Sequence, residues 1–341
     1  MAMKKYLLPV LSAIGLLGLS GAASAETVLT VSRWVPAGHL MSHAMLDWCG
    51  KVKDATSGRV SCEMLPKGVA PPAQTFDAVR DGLADMSFGV HGYTPGRYTL
   101  TGLAELPFLG ETATATSVAY QRIYEKHLAK FDEHRGLKVI TVFTHGPGVI
   151  FNTQKPIATV ADMQGLKFRT GGGTINRISN ALGANVTLKP ATESYELLSS
   201  GVMDGVFFPN ESVRTFKLEK LIKYATTFPG GLYNTSFAFV MNADTWKGIP
   251  EQDQKIIDGL SGEAAARLFG GYWDKGDSES AELQHEVGIE LTRADEAFVA
   301  EVKDLTKDIE TDWIERAGKA GLENPAAVLA EFRADIAKLS D

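Results

Sequence analysis

The sequence predicts an α/β fold of two lobes, each a mostly parallel sheet with helices on both faces, followed by a helical C-terminus. Three observations carry this. Strand and helix patterns alternate along the first part of the chain and alternate again after Pro147. From Asp253 onward the pattern is almost wholly helical. The run Leu166-Lys167-Phe168-Arg169 alternates apolar and basic residues, then enters Gly171-Gly172-Gly173 and a helical pattern. That places Arg169 where a strand ends and a loop opens. Alternating strands and helices imply mainly parallel sheets, in which ligands sit at the strand carboxyl ends.

Taken in order, residues 28–34 read as the first strand, 41–55 as a helix and 60–65 as the second strand. Residues 76–83 are helical, because Phe76, Val79 and Leu83 recur at helical spacing, with Arg80 at the margin of that face. A strand over 86–90, a long helix over 112–131 and a continuous apolar strand over 137–143 complete the first half. Beyond Pro147, strands are expected at 149–152, 166–169, 184–188, 205–208 and 237–241, with helices at 175–182, 195–202 and 213–222. Residues 254–291 read as one helix, long enough to run across two lobes despite Gly270, Gly271 and Gly276. Helices over 297–317 and 326–339 end the chain. No low-complexity linker separates the halves. The lobes are therefore joined by extended strands around a cleft, an arrangement suited to closure about a solute.

Lys4 and Lys5, an apolar run over 6–19 and Ala23-Ser24-Ala25 form the pattern of a secretory signal peptide, with cleavage expected after Ala25. Gly15, Gly18, Ser20 and Gly21 interrupt the run, which is shorter than the roughly 20 apolar residues of a membrane span. The expected mature protein is exported and soluble, most simply in a bacterial periplasm. Without Lys4 and Lys5 it carries 32 Lys+Arg against 41 Asp+Glu, a net charge of −9. An acidic chain with no basic block argues against nucleic acid. A small anion stays open, because one buried Arg outweighs distant, screened surface charge. Export would permit a disulfide between Cys49 and Cys62. Cys49 also fits as a small core residue, and the sequence leaves both open. No CxxC pair signals zinc or thioredoxin chemistry.

Arg169 leads the candidate site residues. Its guanidinium always carries charge and presents a planar fork suited to a carboxylate, although a lone strand Arg is more often solvated. Asn210 ends the segment Phe207-Phe208-Pro209 and can both donate and accept, or cap the helix that follows. Phe207 and Phe208 alternate along their strand, so one is expected to face the core and one the cleft. His91 and Tyr93 lie in a loop after 86–90, where they could hydrogen-bond or stack. Trp34 sits in a similar loop, and His145 where the chain crosses to the second lobe, as contact or hinge. His39 and His43 are spaced to share a helix face, but a catalytic zinc needs a third ligand and usually a base. There is no H-E-x-x-H, G-x-S-x-G or Walker loop, so neither metal nor cofactor is expected.

Three blocks then carry a resemblance: Lys155-Pro156-Ile157 through Asp162-Met163-Gln164-Gly165-Leu166-Lys167-Phe168-Arg169, Ala181-Leu182-Gly183-Ala184, and Glu193-Ser194-Tyr195-Glu196-Leu197-Leu198 through Met203-Asp204-Gly205. In order and spacing the chain resembles the solute-binding proteins of tripartite ATP-independent periplasmic (TRAP) transporters over essentially its whole mature length. The resemblance implies a two-lobed periplasmic-binding-protein fold closing on an organic acid, whose carboxylate pairs with Arg169. It implies that the first lobe takes the chain back after about Tyr233, giving lobes of 26–146 plus 235–274 and 147–234 plus 275–341, bridged by a long helix. A TRAP membrane permease is the implied partner of a monomeric receptor. The sialic-acid-binding branch has a second arginine just upstream of the Lys-Pro-Ile block. Val149 stands at about that place here, which argues against sialic acid. Phe207 and Phe208 follow Asp204-Gly205 where the family often has a polar residue, which loosens the match of Asn210 to the family asparagine. Trp34, Tyr93, Phe207 or Phe208, and Tyr233 point to a monocarboxylate with an aromatic or apolar body. The rival readings are an exported metal-dependent hydrolase built on His39 and His43, and a receptor that signals instead of transporting.

Overall fold

The computed structural model describes residues 26–340, so the expected signal peptide lies outside the described residues. The chain enters as strand β1 (Thr27–Val31), helix α1 (Leu40–Ala55) and strand β2 (Val60–Met64). Helix α2 (Thr75–Arg80), strand β3 (Met86–Val90), helix α3 (Ala113–Ile123) and strand β4 (Leu137–Thr144) follow. Strands β5 (Val149–Asn152) and β6 (Lys167–Thr170) lead to helix α4 (Thr174–Ala181) and strand β7 (Asn185–Leu188). Next come helix α5 (Ser194–Ser199), strand β8 (Gly205–Phe208), helix α6 (Glu211–Thr215), and strands β9 (Tyr224–Thr227) and β10 (Ser236–Asn242). Helices α7 (Ala243–Gly248), α8 (Glu251–Gly259) and α9 (Glu263–Glu286), strand β11 (Glu290–Arg293), and helices α10 (Glu296–Lys319) and α11 (Pro325–Ser340) finish the chain.

The strands divide into two sheets, in the orders β2-β1-β3-β10-β4 and β11-β9-β5-β8-β6-β7. β1, β2 and β3 are parallel, as are β6, β7 and β8, and β9 with β11. Each sheet also takes one strand running the other way: β10 in the first and β5 in the second. Both follow directly from a crossing between sheets. The chain leaves β4 and enters β5, then leaves β9 and enters β10. In register, Ser236 lies opposite Thr144 and Val149 opposite Phe208. The amino ends of the antiparallel strands therefore meet the carboxyl ends of their neighbours. All of these ends converge on one cleft.

Helix α9 is the third crossing. It packs against α1, α3 and β4 on one side and α6 on the other. Asp274 accepts hydrogen bonds from the first backbone N–H groups of α3, at Ala113 (2.6 Å) and Thr114 (3.0 Å). One turn on, Asp277 accepts from the Glu211 N–H that opens α6 (2.7 Å). A single helix thus caps one helix of each lobe, satisfying N–H groups that have no intrahelical partner. Gly270 explains the close approach, since a Cβ there would lie 2.7 Å from the Thr114 Cα.

Several expected elements need correction. The helix expected over 254–291 is two helices and a strand, broken at Ser261–Gly262, where the Gly262 N–H instead bonds the Ile140 carbonyl (2.8 Å). The expected 112–131 helix loosens into a π segment at Tyr124–Leu128 and a 3₁₀ turn. The helix expected over 213–222 stops at Thr215, and Leu83, given to a buried face, is exposed. Helix α11 packs on α3 and on α10. Phe332 and Ile336 share a core with Tyr120 and Ile123 there. No helix among the described residues is long and apolar enough to cross a membrane.

Cys49 on α1 and Cys62 on β2 form a disulfide, with Cα atoms 5.7 Å apart and a sequence separation of 13. It staples the first helix to the sheet edge. Closing a loop of that length restricts the unfolded chain and is expected to contribute about 3 kcal/mol. Urea unfolding of a Cys49→Ser/Cys62→Ser variant should show a loss of that order, and reductant should have little further effect on the variant.

Candidate functional site

The convergent strand ends enclose a small cavity walled mainly by aromatic side chains. Trp34 comes from beyond β1, Phe88, Val90 and Tyr93 from β3 and its turn, and His145 from beyond β4. Arg169 and Gly171 come from β6, Phe207 and Phe208 from β8, Tyr233 and Phe237 from the entry to β10, and Trp273 from α9. Strand alternation sorts the β3 side chains. Phe88 and Val90 face the cavity, whereas Gly89 and His91 lie against Phe76 on the other side.

Arg169 is 2% exposed. Its Nε donates to the Lys189 carbonyl (2.7 Å) and its guanidinium lies 4.6 Å over the Phe208 ring. A terminal nitrogen reaches the Tyr93 hydroxyl at 3.5 Å, a weak contact. No Asp or Glu among the described residues forms an ion pair with it. Burial lowers its pKa, and the Tyr93 and Tyr233 hydroxyls oppose that shift. An arginine nevertheless keeps its proton in proteins. The site therefore holds a dry, fixed positive charge with no counterion of its own.

Contacts across the cleft hold it closed. The Tyr93 hydroxyl accepts from the Ala191 N–H (3.0 Å). The Gly92 carbonyl sits directly against Gly172, whose φ of 76° and lack of a side chain permit the approach. Glu105, in a 3₁₀ turn of the first lobe, accepts from the Thr174 N–H at the start of α4 (2.8 Å) and from Ser236 N–H (3.2 Å). A carboxylate from one lobe thus lies on the helix N-terminus that follows the Arg169 strand, a favourable place for negative charge.

His145 is buried against Tyr233, Phe237 and Trp273. Burial pulls its pKa down to about 4, the bond to Gly146 opposes this, and the Arg169 charge adds to the lowering. His39 also borders the cavity, but its Nδ1 accepts the Met41 N–H at the start of α1 (3.0 Å), so it is a cap. Among the described residues no group of three or more His, Cys, Asp or Glu side chains could hold a metal ion.

Of the residues expected from sequence, Trp34, Tyr93, His145, Arg169, Phe207, Phe208 and Tyr233 border one cavity. Both phenylalanines do so, against the expectation of one, because β8 ends at the cleft edge, where both sheet faces border the opening. Phe207 packs on Phe168 and Phe208 on Phe216. His91 and Asn210 fall outside. His91 bonds Ser236 (2.7 Å) and His134 (2.8 Å) in a buried network. Asn210 is tied to α9, its carbonyl accepting from Ser280 (2.6 Å), and its side chain does not cap α6. Sequence reasoning missed Phe88, Phe216, Phe237 and Trp273. Phe88 and Phe237 read as ordinary strand residues, and Trp273 was hidden within an apparently uniform helix.

The description "Bacterial extracellular solute-binding protein, family 7" fits residues 31–315 of this chain. The chain belongs to this family, the solute-binding proteins of TRAP transporters. A Bordetella bronchiseptica TRAP periplasmic solute-binding protein, solved with bound (R)-mandelate and (S)-mandelate, is 45% identical with a TM-score of 0.90, covering 92% of this chain and 99% of its own. A marine metagenome TRAP protein specific for aromatic acid ligands, solved with 3-hydroxybenzoate, is 33% identical with a TM-score of 0.86, over 93% of this chain and 100% of its own. The Comamonas testosteroni protein named outer membrane transporter protein TsaT is 31% identical over 325 residues, 95% of this chain and 96% of its own length.

Glu105 makes lobe contact sensitive to pH. Burial raises its pKa from 4.5 to about 7, with the Thr174 and Ser236 N–H groups opposing. Because the folded value is raised, the stabilisation by Glu105 is full below its unfolded pKa and is lost as pH rises through about 7. Glu105→Gln is neutral at every pH. Its deficit in melting temperature against wild type should therefore be larger at about pH 5.5 than at about pH 8, as thermal melts in matched buffers would show.

Proposed function

We propose that the protein is a periplasmic receptor that captures a small aromatic monocarboxylate between its lobes and delivers it to a TRAP membrane permease. The observation that carries this is Arg169, buried and charged within aromatic walls with no acidic partner among the described residues. A charge left dry is costly unless something pairs with it. A ligand carboxylate would supply the missing counterion, and the guanidinium could take it by two parallel hydrogen bonds. The Tyr93 hydroxyl accepts from the Ala191 N–H and leaves its own proton for the ligand. The rings of Trp34, Phe88, Phe207 and Phe237 present flat apolar surface to a ligand and offer few partners for a polyhydroxylated one. The similar proteins bound to mandelate and to 3-hydroxybenzoate support the same class.

Transport follows from capture if the lobes open and close about the three crossings, releasing the acid to the permease. We take the lobes as 26–146 plus 235–274 and 147–234 plus 275–341. Export would remove residues 1–25 and leave a monomer that begins at Glu26, an end that mass spectrometry of periplasmic protein would read directly.

Calorimetry with benzoate, mandelate, a C4 dicarboxylate and a sugar acid tests the site. The aromatic acids should bind and the dicarboxylate and sugar acid should not. Arg169→Ala should lower affinity for the aromatic acids by at least about 2 kcal/mol with circular dichroism unchanged. Equal affinity in the variant would remove Arg169 from the site.

A further inference from the structure

Besides Arg169 and the Tyr93 hydroxyl, the cavity wall carries the imidazole of His145. The His145 Nδ1 lies 2.6 Å from the Gly146 carbonyl oxygen. A carbonyl only accepts, so Nδ1 must carry the ring proton. The same two carbonyls, of His145 and Gly146, also accept from the Asn234 side-chain amide (2.7 and 3.0 Å). That fixes the crossing between β4 and β5 and with it the ring. Nε2 is then a bare acceptor, and it has no protein partner among the described residues. Beside it, with ring centroids 5.8 Å apart, stands Trp273, whose indole N–H is buried and also without a partner. Both residues border the cavity. A buried indole N–H without a partner, in the same wall as an unpaired ring acceptor, departs from the usual pairing of buried polar groups.

We propose that His145 accepts a hydrogen bond from a hydroxyl group of the ligand, so that the site selects hydroxylated aromatic acids over their deoxy counterparts. A hydroxyl is the smallest group that donates and accepts at once. An ether, halogen or second carboxylate would offer Nε2 no donor. This rests on the reading of the cavity as an aromatic-acid site anchored at Arg169. The hydroxyl could sit on the carbon beside the carboxylate or on the ring, and both present the same donor.

Calorimetry on two matched pairs separates these sources: mandelate against phenylacetate, and 3-hydroxybenzoate against benzoate. Wild-type protein should favour the hydroxylated member of at least one pair by about tenfold or more, since a site built to bond a hydroxyl leaves its own group unpaired with the analogue. The pair that discriminates identifies the hydroxyl position. His145→Phe should bring that ratio close to one while the deoxy acid still binds, an outcome that a merely structural role would not produce. His145→Gln, which keeps a carbonyl acceptor, should restore part of the preference and serves if the Phe variant does not fold. Equal binding within both pairs by wild type, or an unchanged ratio in the variants, overturns the proposal while leaving the acid site standing. Failure of all four acids to bind wild type overturns the acid site and this inference with it.

Discussion

The rest of the architecture answers to one buried charge. Arg169 cannot lose its proton and has been removed from water, so its surroundings must either supply a counterion or compensate in weaker ways. The described part of the protein does only the second. A single backbone carbonyl takes Nε, the Phe208 π-face lies under the guanidinium, and Tyr93 approaches at the limit of hydrogen bonding. Cation–π attraction strengthens when the pair is desolvated, but it does not replace an anion. Because the compensation is partial, an incoming carboxylate would gain more here than from a guanidinium already paired with Asp or Glu.

Keeping that charge dry requires two lobes to meet with little slack. The antiparallel entries of β5 and β10 bring every crossing to the cleft edge, so the hinge and the binding wall are the same segments. His145 is one residue beyond β4, and Tyr233 and Phe237 flank the entry to β10. A ligand that touches these residues touches the joints themselves. Helix α9 fixes the outer side of the same joints by capping α3 through Asp274 and α6 through Asp277. Closure is therefore expected to proceed by small rotations about capped helix ends, the kind of hinge that element termini absorb.

The sequence shows the strands around Arg169 well because their signal is local. Alternation, glycine stops and apolar runs place β2, β3, β5 and β8 at or within a residue of their ends. It shows poorly whatever depends on a partner far along the chain. Residues 254–291 look like one helix, and only the Ile140 carbonyl that takes the Gly262 N–H reveals the break. Strands β9 and β11 are invisible in pattern because their partners lie far along the chain, β5 and β11 for β9 and β9 alone for β11. Asn210 has the chemistry of a ligand contact, yet its position is decided by Ser280 and Gln284 on a helix 70 and 74 residues away. His91 lies outside the cavity for a simpler reason: strand alternation turns it to the far face, a rule that could have been applied to the sequence.

Around the cleft, burial neutralises nearly everything except the arginine. His39 and His145 are pushed down to about 3 and about 4, chiefly by burial, and so are neutral near pH 7. Glu105 and Glu211 are pushed up to about 7 and Asp277 well above the carboxylate range, again chiefly by burial. The two sets oppose each other in linkage. The bases destabilise the fold as pH falls, the acids as it rises, and between the unfolded values of the two sets the terms partly offset. The electrostatic result matters more than the stability result. Below neutral pH, where these acids are mostly protonated, the interior holds few competing charges, so the field in the cavity is set mainly by Arg169. A ligand carboxylate then meets one positive centre in a low-dielectric enclosure, where the pairing is far stronger than in water. Affinity for the acid group is general to such an enclosure. Discrimination must come from the groups that remain uncharged and directed, the aromatic walls and the bare nitrogen of His145.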